Sequence, residues 1–379
     1  MEILRLFLDK IKQLKNQQLI VLFIIILGFI ASIIFVNNNH SFYSNPIVKI
    51  THTELIEETN TIDNFDNQDV LSTQELTAEI MNGDYKGDIV TLVNDYSIAG
   101  AYDQAYSPGN ELFVSLKENN NELNAHVTNV KRDKYLVYVA WIFILILIFI
   151  GKRQGLFAVL SLIINALVLS FALDFYINNN NVNLLIVIAL CVIFFTISSL
   201  LLVNGFNEKT YAAIVASLIG TFISVLIAYL VLTLTNEEGL RYEAMDFLTR
   251  PYKLVFMAGV FVGSLGAVMD VAITMSASIF ELYEKDNKIS IKALKKSAND
   301  IGKDIMGTMT NILFFAYLSG SIPIMILYLK NGSPLFFSIS MNLSLEIARA
   351  LAGGIGIVLT IPIGLYVSLF FLKRKKAKL

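Results

Sequence analysis

Residues 254–282 read LVFMAGVFVGSLGAVMDVAITMSASIFEL, and only Asp270 and Glu281 among them carry charge. A helix needs about 20 apolar residues to cross the roughly 30 Å hydrocarbon layer of a bilayer. This stretch meets that length and therefore reads as a membrane span. Within it Gly259, Gly263, Gly266, Asp270, Thr274, Ala277 and Glu281 recur at intervals of three or four residues. At 3.6 residues per turn they form one stripe along the helix. Small residues on a stripe let a second helix approach closely. Asp270 lies mid-span, where a carboxylate costs about 2.5–3.5 kcal/mol on insertion scales, so it must face protein or water. Two readings follow: a packing seam with one hydrogen-bonded acid, or a proton or ion site.

The rest of the chain has the same character. Of its 379 residues 55% are hydrophobic and 16% charged, and the mean hydropathy is +0.62. Soluble domains carry about 45–50% apolar and about 25% charged residues, so a soluble enzyme, a disordered chain, a collagen and a coiled coil are excluded. A single cysteine, Cys191, excludes internal disulfides and cysteine-cluster metal sites. Seven further segments match span length or nearly so: Leu19–Val36, Tyr135–Ile150, Leu156–Ile177, Leu184–Val203, Tyr211–Leu234, Ile305–Leu329 and Leu345–Leu372. Leu19–Val36 is longer than the apolar core of a signal peptide and lacks a small-x-small cleavage site, so it reads as an anchor.

Basic residues set the orientation. With the N-terminus inside, the inner segments hold 18 lysines and arginines and the outer ones 10, six of them in one long segment. The inner set includes Arg5, Lys10, Lys12 and Lys15, the run from Lys285 to Lys303, and the tail from Lys373 to Lys378. Both termini are thus expected in the cytoplasm. The expected fold is an all-α polytopic membrane protein of about eight helices, with a small extracytoplasmic β-barrel-like domain inserted after the first. The expected organisation is an anchor over 1–36, an outer module over 37–134, a seven-helix domain over 135–372 and a basic tail over 373–379.

Residues 37–134 hold sixteen acids, six bases and all three histidines. The asparagine-rich start suggests a loose tether. Short alternating runs at Pro46–Ile56, Gln74–Met81, Asp88–Asn94, Glu111–Leu116 and Asn124–Val130 are separated by turn signals at Asn82-Gly83-Asp84, Ser107-Pro108-Gly109 and Glu118–Asn121. Five short strands with glycine turns suggest a small antiparallel barrel. His40, His52 and His126 lack metal-ligand spacing and read as surface residues. The acid excess is unsuited to nucleic acid, which needs a basic face.

The seventh span enters through Asp304, Thr308 and Asn311, which share a helix face. Asp270, Thr274, Asp304, Thr308 and Asn311 are therefore the candidate intramembrane polar or ion site. Thr308 and Asn311 are the nearest expected partners of Asp270, because a hairpin sets the sixth and seventh spans side by side. In the last span Ala348, Ala352, Gly356, Thr360 and Gly364 repeat every four residues, a second small-residue stripe. Gly259, Gly263, Gly266, Ala352 and Gly356 are the candidate helix-packing positions. Glu346 and Arg349 form a candidate i,i+3 charge pair, read as interfacial and worth little, with membership of a buried network as the other reading. Pro362 could kink this helix.

No Walker motif, HExxH or GxSxG occurs. The two acids match no intramembrane aspartyl-protease pattern. The expectation is a non-enzyme with no cofactor.

The blocks Gly263–Ser278 with Glu281, Asp300–Asn311 with Ala316-Tyr317, and Asn342–Pro362 with Glu346, Arg349 and Gly353–Gly356 occur in that order. Together with Gly83-Asp-Tyr-Lys-Gly87 and Tyr106–Leu116 they resemble the YibE/F family of bacterial membrane proteins. The family's arginine before the aspartate stands here as Lys303, which keeps the charge and loses the bidentate fork. With its anchor and outer module the chain looks like the YibE-type partner. The resemblance implies a multi-pass protein of the bacterial cytoplasmic membrane, and as partners the lipid bilayer and either a YibF-like subunit or a second copy. The small-residue seams and the intramembrane acid suggest a transporter or permease acting on an unknown small solute or ion. A membrane scaffold is the other reading.

Overall fold

The computed structural model describes residues 16–100, 103–119, 122–179, 181–245 and 251–378. The N-terminal basic residues Arg5, Lys10, Lys12 and Lys15 lie outside them. The chain divides into two compact units, Met1–Ile146 and Leu147–Leu379.

The first unit begins with α1 (Asn16–Asn38), followed by β1 (Ile47–Ile62), β2 (Gln68–Ile80), β3 (Ile89–Ser97), β4 (Glu111–Asn119) and β5 (Glu122–Val130). All pairings are antiparallel, in the order β3-β2-β1-β4-β5. Alternate residues point inward, and Val48, Ile50, Leu76, Ala78, Ile80, Leu92 and Leu112 are buried in one core. Full burial of each large aliphatic side chain stabilises by about 1.5–3 kcal/mol. Gly83, with φ of 79°, supplies the left-handed residue of the β2–β3 turn. Beside it the buried Asn82 accepts the Ile47 N–H at 2.7 Å and donates to the carbonyls of Tyr43 and Asn45. That fastens the entry of β1 to the turn.

Three expectations change here. The barrel is not closed by hydrogen bonds: β3 and β5 touch, but no ladder joins them among the described residues. The loose tether is absent. Asn37 and Asn38 end α1, and the short link to β1 is held by Asn39 and Tyr43, which donate to the Asp133 carboxylate at 2.8 and 3.0 Å. The polar run further on is a long hairpin, whose turn closes when Asp63 accepts the N–H groups of Phe65 and Asn67. Finally, His40 is no surface residue. It is buried, 3.2 Å from Glu111, whereas His52 and His126 are exposed.

Lys131 lies at the centre of this junction. Its side chain is 1% exposed, and its ammonium sits 3.0 Å from Glu111, 2.9 Å from Asp133 and 3.2 Å from the Val36 carbonyl. One cation thus joins the end of α1, the start of β4, the end of β5 and the start of the next helix.

That helix, α2 (Asp133–Asn178), is broken at Lys152, with φ of 48° and ψ of −120°. Its 46 residues would span about 69 Å if straight, more than twice the hydrocarbon thickness. The break allows two shorter spans. Gly155 lies so close to the Leu147 carbonyl that a Cβ there would collide with it.

The second unit continues with α3 (Leu184–Asn204), α4 (Glu208–Leu234), α5 (Tyr252–Lys285), α6 (Ile291–Ser319), α7 (Ile322–Lys330) and α8 (Leu335–Lys378). The last is the hub, packing against α4, α5 and α6. Val271, Met275, Ile279, Leu294, Ala298 and Ile357 form its main core. Pro362 sits inside α8 without ending it. By length and composition five helices among the described residues can cross a membrane, or six with α6 and α7 counted as one span bent by 52°.

Candidate functional site

The apolar residues of α5 decide where its acid points. Val268, Val271, Ala272 and Met275 are fully buried. This turns Asp270 and Thr274, on the opposite side, outward and exposed. Thr274 donates its hydroxyl to the Asp270 main-chain carbonyl at 2.7 Å. Among the described residues the Asp270 carboxylate has no hydrogen bond or ion pair.

The rotation of α6 follows the same logic. Leu294, Ala298 and Gly302 are buried, and Met306, Met309 and Leu313 pack on the α8 core. Asp304, Thr308 and Asn311 therefore face away from the bundle, lining a shallow groove with Gly307, Phe315 and Ala316. Thr308 donates to the Asp304 main-chain carbonyl at 3.3 Å. The pairing of Asp270 with Thr308 or Asn311 that the hairpin suggested is not made. Adjacency in the chain sets helices side by side, but the apolar faces set their rotation, and both polar stripes end up uncovered.

The packing glycines divide. A Cβ at Gly263 would strike the Tyr317 hydroxyl, and one at Gly259 would lie 3.6 Å from Nε of Arg349. Gly266 meets nothing within 4 Å, so among the described residues no other helix packs on it. On α8, Ala352 is buried and its carbonyl accepts the Ser224 hydroxyl at 2.6 Å. A Cβ at Gly356 would lie 2.7 Å from Val268 and 3.0 Å from Ser224. Gly263→Leu should therefore displace Tyr317 and cost about 1–3 kcal/mol by overpacking. Gly266→Leu should change stability by less than about 0.5 kcal/mol, as a substitution on an open face. Melting both variants in detergent compares them, and equal losses would contradict the assignment.

Glu346 and Arg349 do form an ion pair. It is more enclosed than an interfacial pair, with side chains only 21–23% exposed. The guanidinium lies 5.4 Å from the centre of the Phe256 ring, and its buried Nε has no hydrogen-bond acceptor.

Sequence reading missed the partner stripe on α4. Ala213, Ser217, Thr221 and Ser224 are buried along one face at intervals of four, four and three, with Gly220 beside them. That spacing was visible, but this span holds no intramembrane acid to draw attention to it. Also missed were the links Ser276–Ser368 at 3.0 Å and Asn165–Ser199 at 2.8 Å, hydroxyl and amide contacts between spans distant in sequence.

The comparison with known families bears on both units. A model described as YibE/F-like protein matches residues 139–374, and one described as YibE/F family N-terminal domain matches residues 41–130. No curated protein and no solved structure matches. The helical bundle and the β unit before it are thus both accounted for by one family, in the order the motifs had suggested, and the chain belongs to the YibE/F family.

Proposed function

We propose that this chain is a permease-like subunit of the bacterial cytoplasmic membrane, in which Asp270 and the Asp304–Thr308–Asn311 face line a path for a proton, a cation or a small polar solute. The observation that carries the reading is the carboxylate of Asp270, outward and without a partner among the described residues, as the one charge between residues 254 and 280 of α5. Intramembrane acids face a water-filled cavity or another protein, and mark ion or solute paths. In this reading α1 is one span, α2 supplies two, α6 and α7 together supply one, and the total is eight. Both termini lie in the cytoplasm, and residues 37–134 lie outside. The activity is transport without covalent chemistry.

Proteoliposomes carrying the purified chain, a pH-sensitive dye and a potassium diffusion potential supply the test. Asp270→Asn should bring ion flux down to that of empty liposomes while leaving the yield of folded protein unchanged. Wild-type flux in that variant would overturn the reading. A second reading, a scaffold for an envelope component, is favoured by the β1–β2 ribbon, which presents Leu55, Ile56, Ile62 and Phe65 to solvent. Absence of flux from the wild-type chain under every gradient would favour it.

A further inference from the structure

The two polar faces, on α5 and α6, are not covered by any other described helix of the second unit. An amide or carboxylate cannot be left facing lipid at hydrocarbon depth without a cost of several kcal/mol. Asn311 is eight residues beyond Lys303, about 12 Å along α6 and so within the apolar layer. Its carboxamide has no hydrogen bond to another residue, and no ion pair engages the Asp304 carboxylate, among the described residues. The apolar face of the same helix is already spent on α8. Something other than the described residues of the second unit must cover the polar one.

We infer that the occupant is a second copy of this chain, packed α6 against α6 about a twofold axis along the membrane normal. Such an axis preserves depth, so each residue meets its own level in the partner. Asn311 then meets Asn311 of the partner subunit. A carboxamide is both donor and acceptor, so it pairs with its own copy, which a lone carboxylate does not. Gly307, against which nothing lies within 4 Å, leaves room for the two helices to approach one turn nearer the basic end. At that end Asp300 and Lys303, both largely exposed, are only 3.9 Å apart and weakly engaged. The axis also brings the two Asp304 carboxylates to one level, and Lys303 of each copy, one residue away, can reach the partner's Asp304 and offset their repulsion. This inference deepens the polar-path reading, because the path along Asp304 and Asn311 is walled on its open side only by the second copy.

Cysteine cross-linking tests it in native membranes. Cys191 is buried and is first replaced by serine. Single cysteines are then placed at Gly307, at Asn311 and, as a control, at Leu190, which is 63% exposed on α3. Mild oxidation should give a product of twice the chain mass from G307C and N311C and none from L190C. In detergent N311L should weaken the dimer about three- to thirtyfold, the range set by hydrogen bonds across membrane helices, while N311Q retains it. Equal cross-linking from all three positions, no dimer from either α6 position, or an adduct with a chain of different mass would each overturn the inference. Cross-linking without ion flux would leave it standing and remove the transport reading, so the two failures are distinguishable.

Discussion

Replacing Lys131 by methionine should destabilise the first unit by about 3–5 kcal/mol, the usual cost of stranding a buried charge by removing its partner. The side chain is 1% exposed, so water cannot replace the lost ammonium. Glu111, 8% exposed, would lose the ammonium at 3.0 Å and be left with the His40 ring at 3.2 Å. Asp133 would keep the hydrogen bonds from Asn39 and Tyr43 but lose its counter-ion. The melting temperature should fall by roughly 10–20 °C, as that free energy implies for a unit of this size. Arg132→Met is the control: Arg132 is exposed and makes one long contact with Gln104, so its loss should cost less than about 0.5 kcal/mol. Adding Glu111→Gln to Lys131→Met should recover part of the loss, because it removes the stranded charge.

The pH dependence of Lys131 follows from its surroundings. Burial pushes its pKa down, but the hydrogen bonds and charges of Asp133 and Glu111 outweigh burial and hold it above the ordinary lysine value. A raised folded-state pKa means that the stabilisation is fully present below the unfolded value. It is lost as pH rises through the folded one. The first unit should therefore melt at a steady temperature through neutral pH as far as this lysine is concerned, and the Lys131 contribution should vanish only in strong alkali. Equal melting of Lys131→Met and Arg132→Met at neutral pH would show that the network holds nothing.

Periodicity alone made most of the elements legible. Seven of the eight apolar runs lie in a helix, the run Ile305–Leu329 is divided between α6 and α7, and each of the five alternating runs overlaps a strand. What it could not supply was rotation and pairing. The stripe on α5 was visible, but whether Asp270 looked inward depended on Val268, Val271 and Met275 competing for the same core. Glycine spacing was visible as well, yet Gly263 and Gly266 differ completely in what they touch. The Asn-rich link after α1 carries no apolar pattern, and its order rests on the contacts of Asn39 and Tyr43 with Asp133, a residue 90 or more positions away. The Lys131 network was illegible for a different reason: its members lie up to 95 residues apart and meet only where two helices and two strands end together.

The second large effect is expected where α4, α5 and α8 meet. In lipid the hydrophobic effect does not hold helices together, so close van der Waals contact and interhelical hydrogen bonds must do so. Gly356 sits inside this contact, 2.7 Å from Val268 and 3.0 Å from Ser224 measured from a Cβ position. Gly220 faces it from α4, where a Cβ would collide with the Thr360 hydroxyl and lie 3.1 Å from Val268. Gly356→Leu must push α8 away from both neighbours. It would break the 2.6 Å bond from Ser224 to the Ala352 carbonyl, which removes about another 0.6–2 kcal/mol beyond the overpacking cost of about 1–3 kcal/mol. Because α8 is the hub on which α4, α5 and α6 all rest, the strain cannot be relieved by moving one peripheral helix. The expected outcome is a loss of most monodisperse protein on size exclusion in detergent, with Gly356→Ala intermediate because its single methyl still meets Val268. Gly266→Leu, on the open side of α5, should elute and melt like the parent chain. If Gly356→Leu behaves as Gly266→Leu does, the three helices are not held by contact at this glycine, and the hub assignment of α8 fails with it.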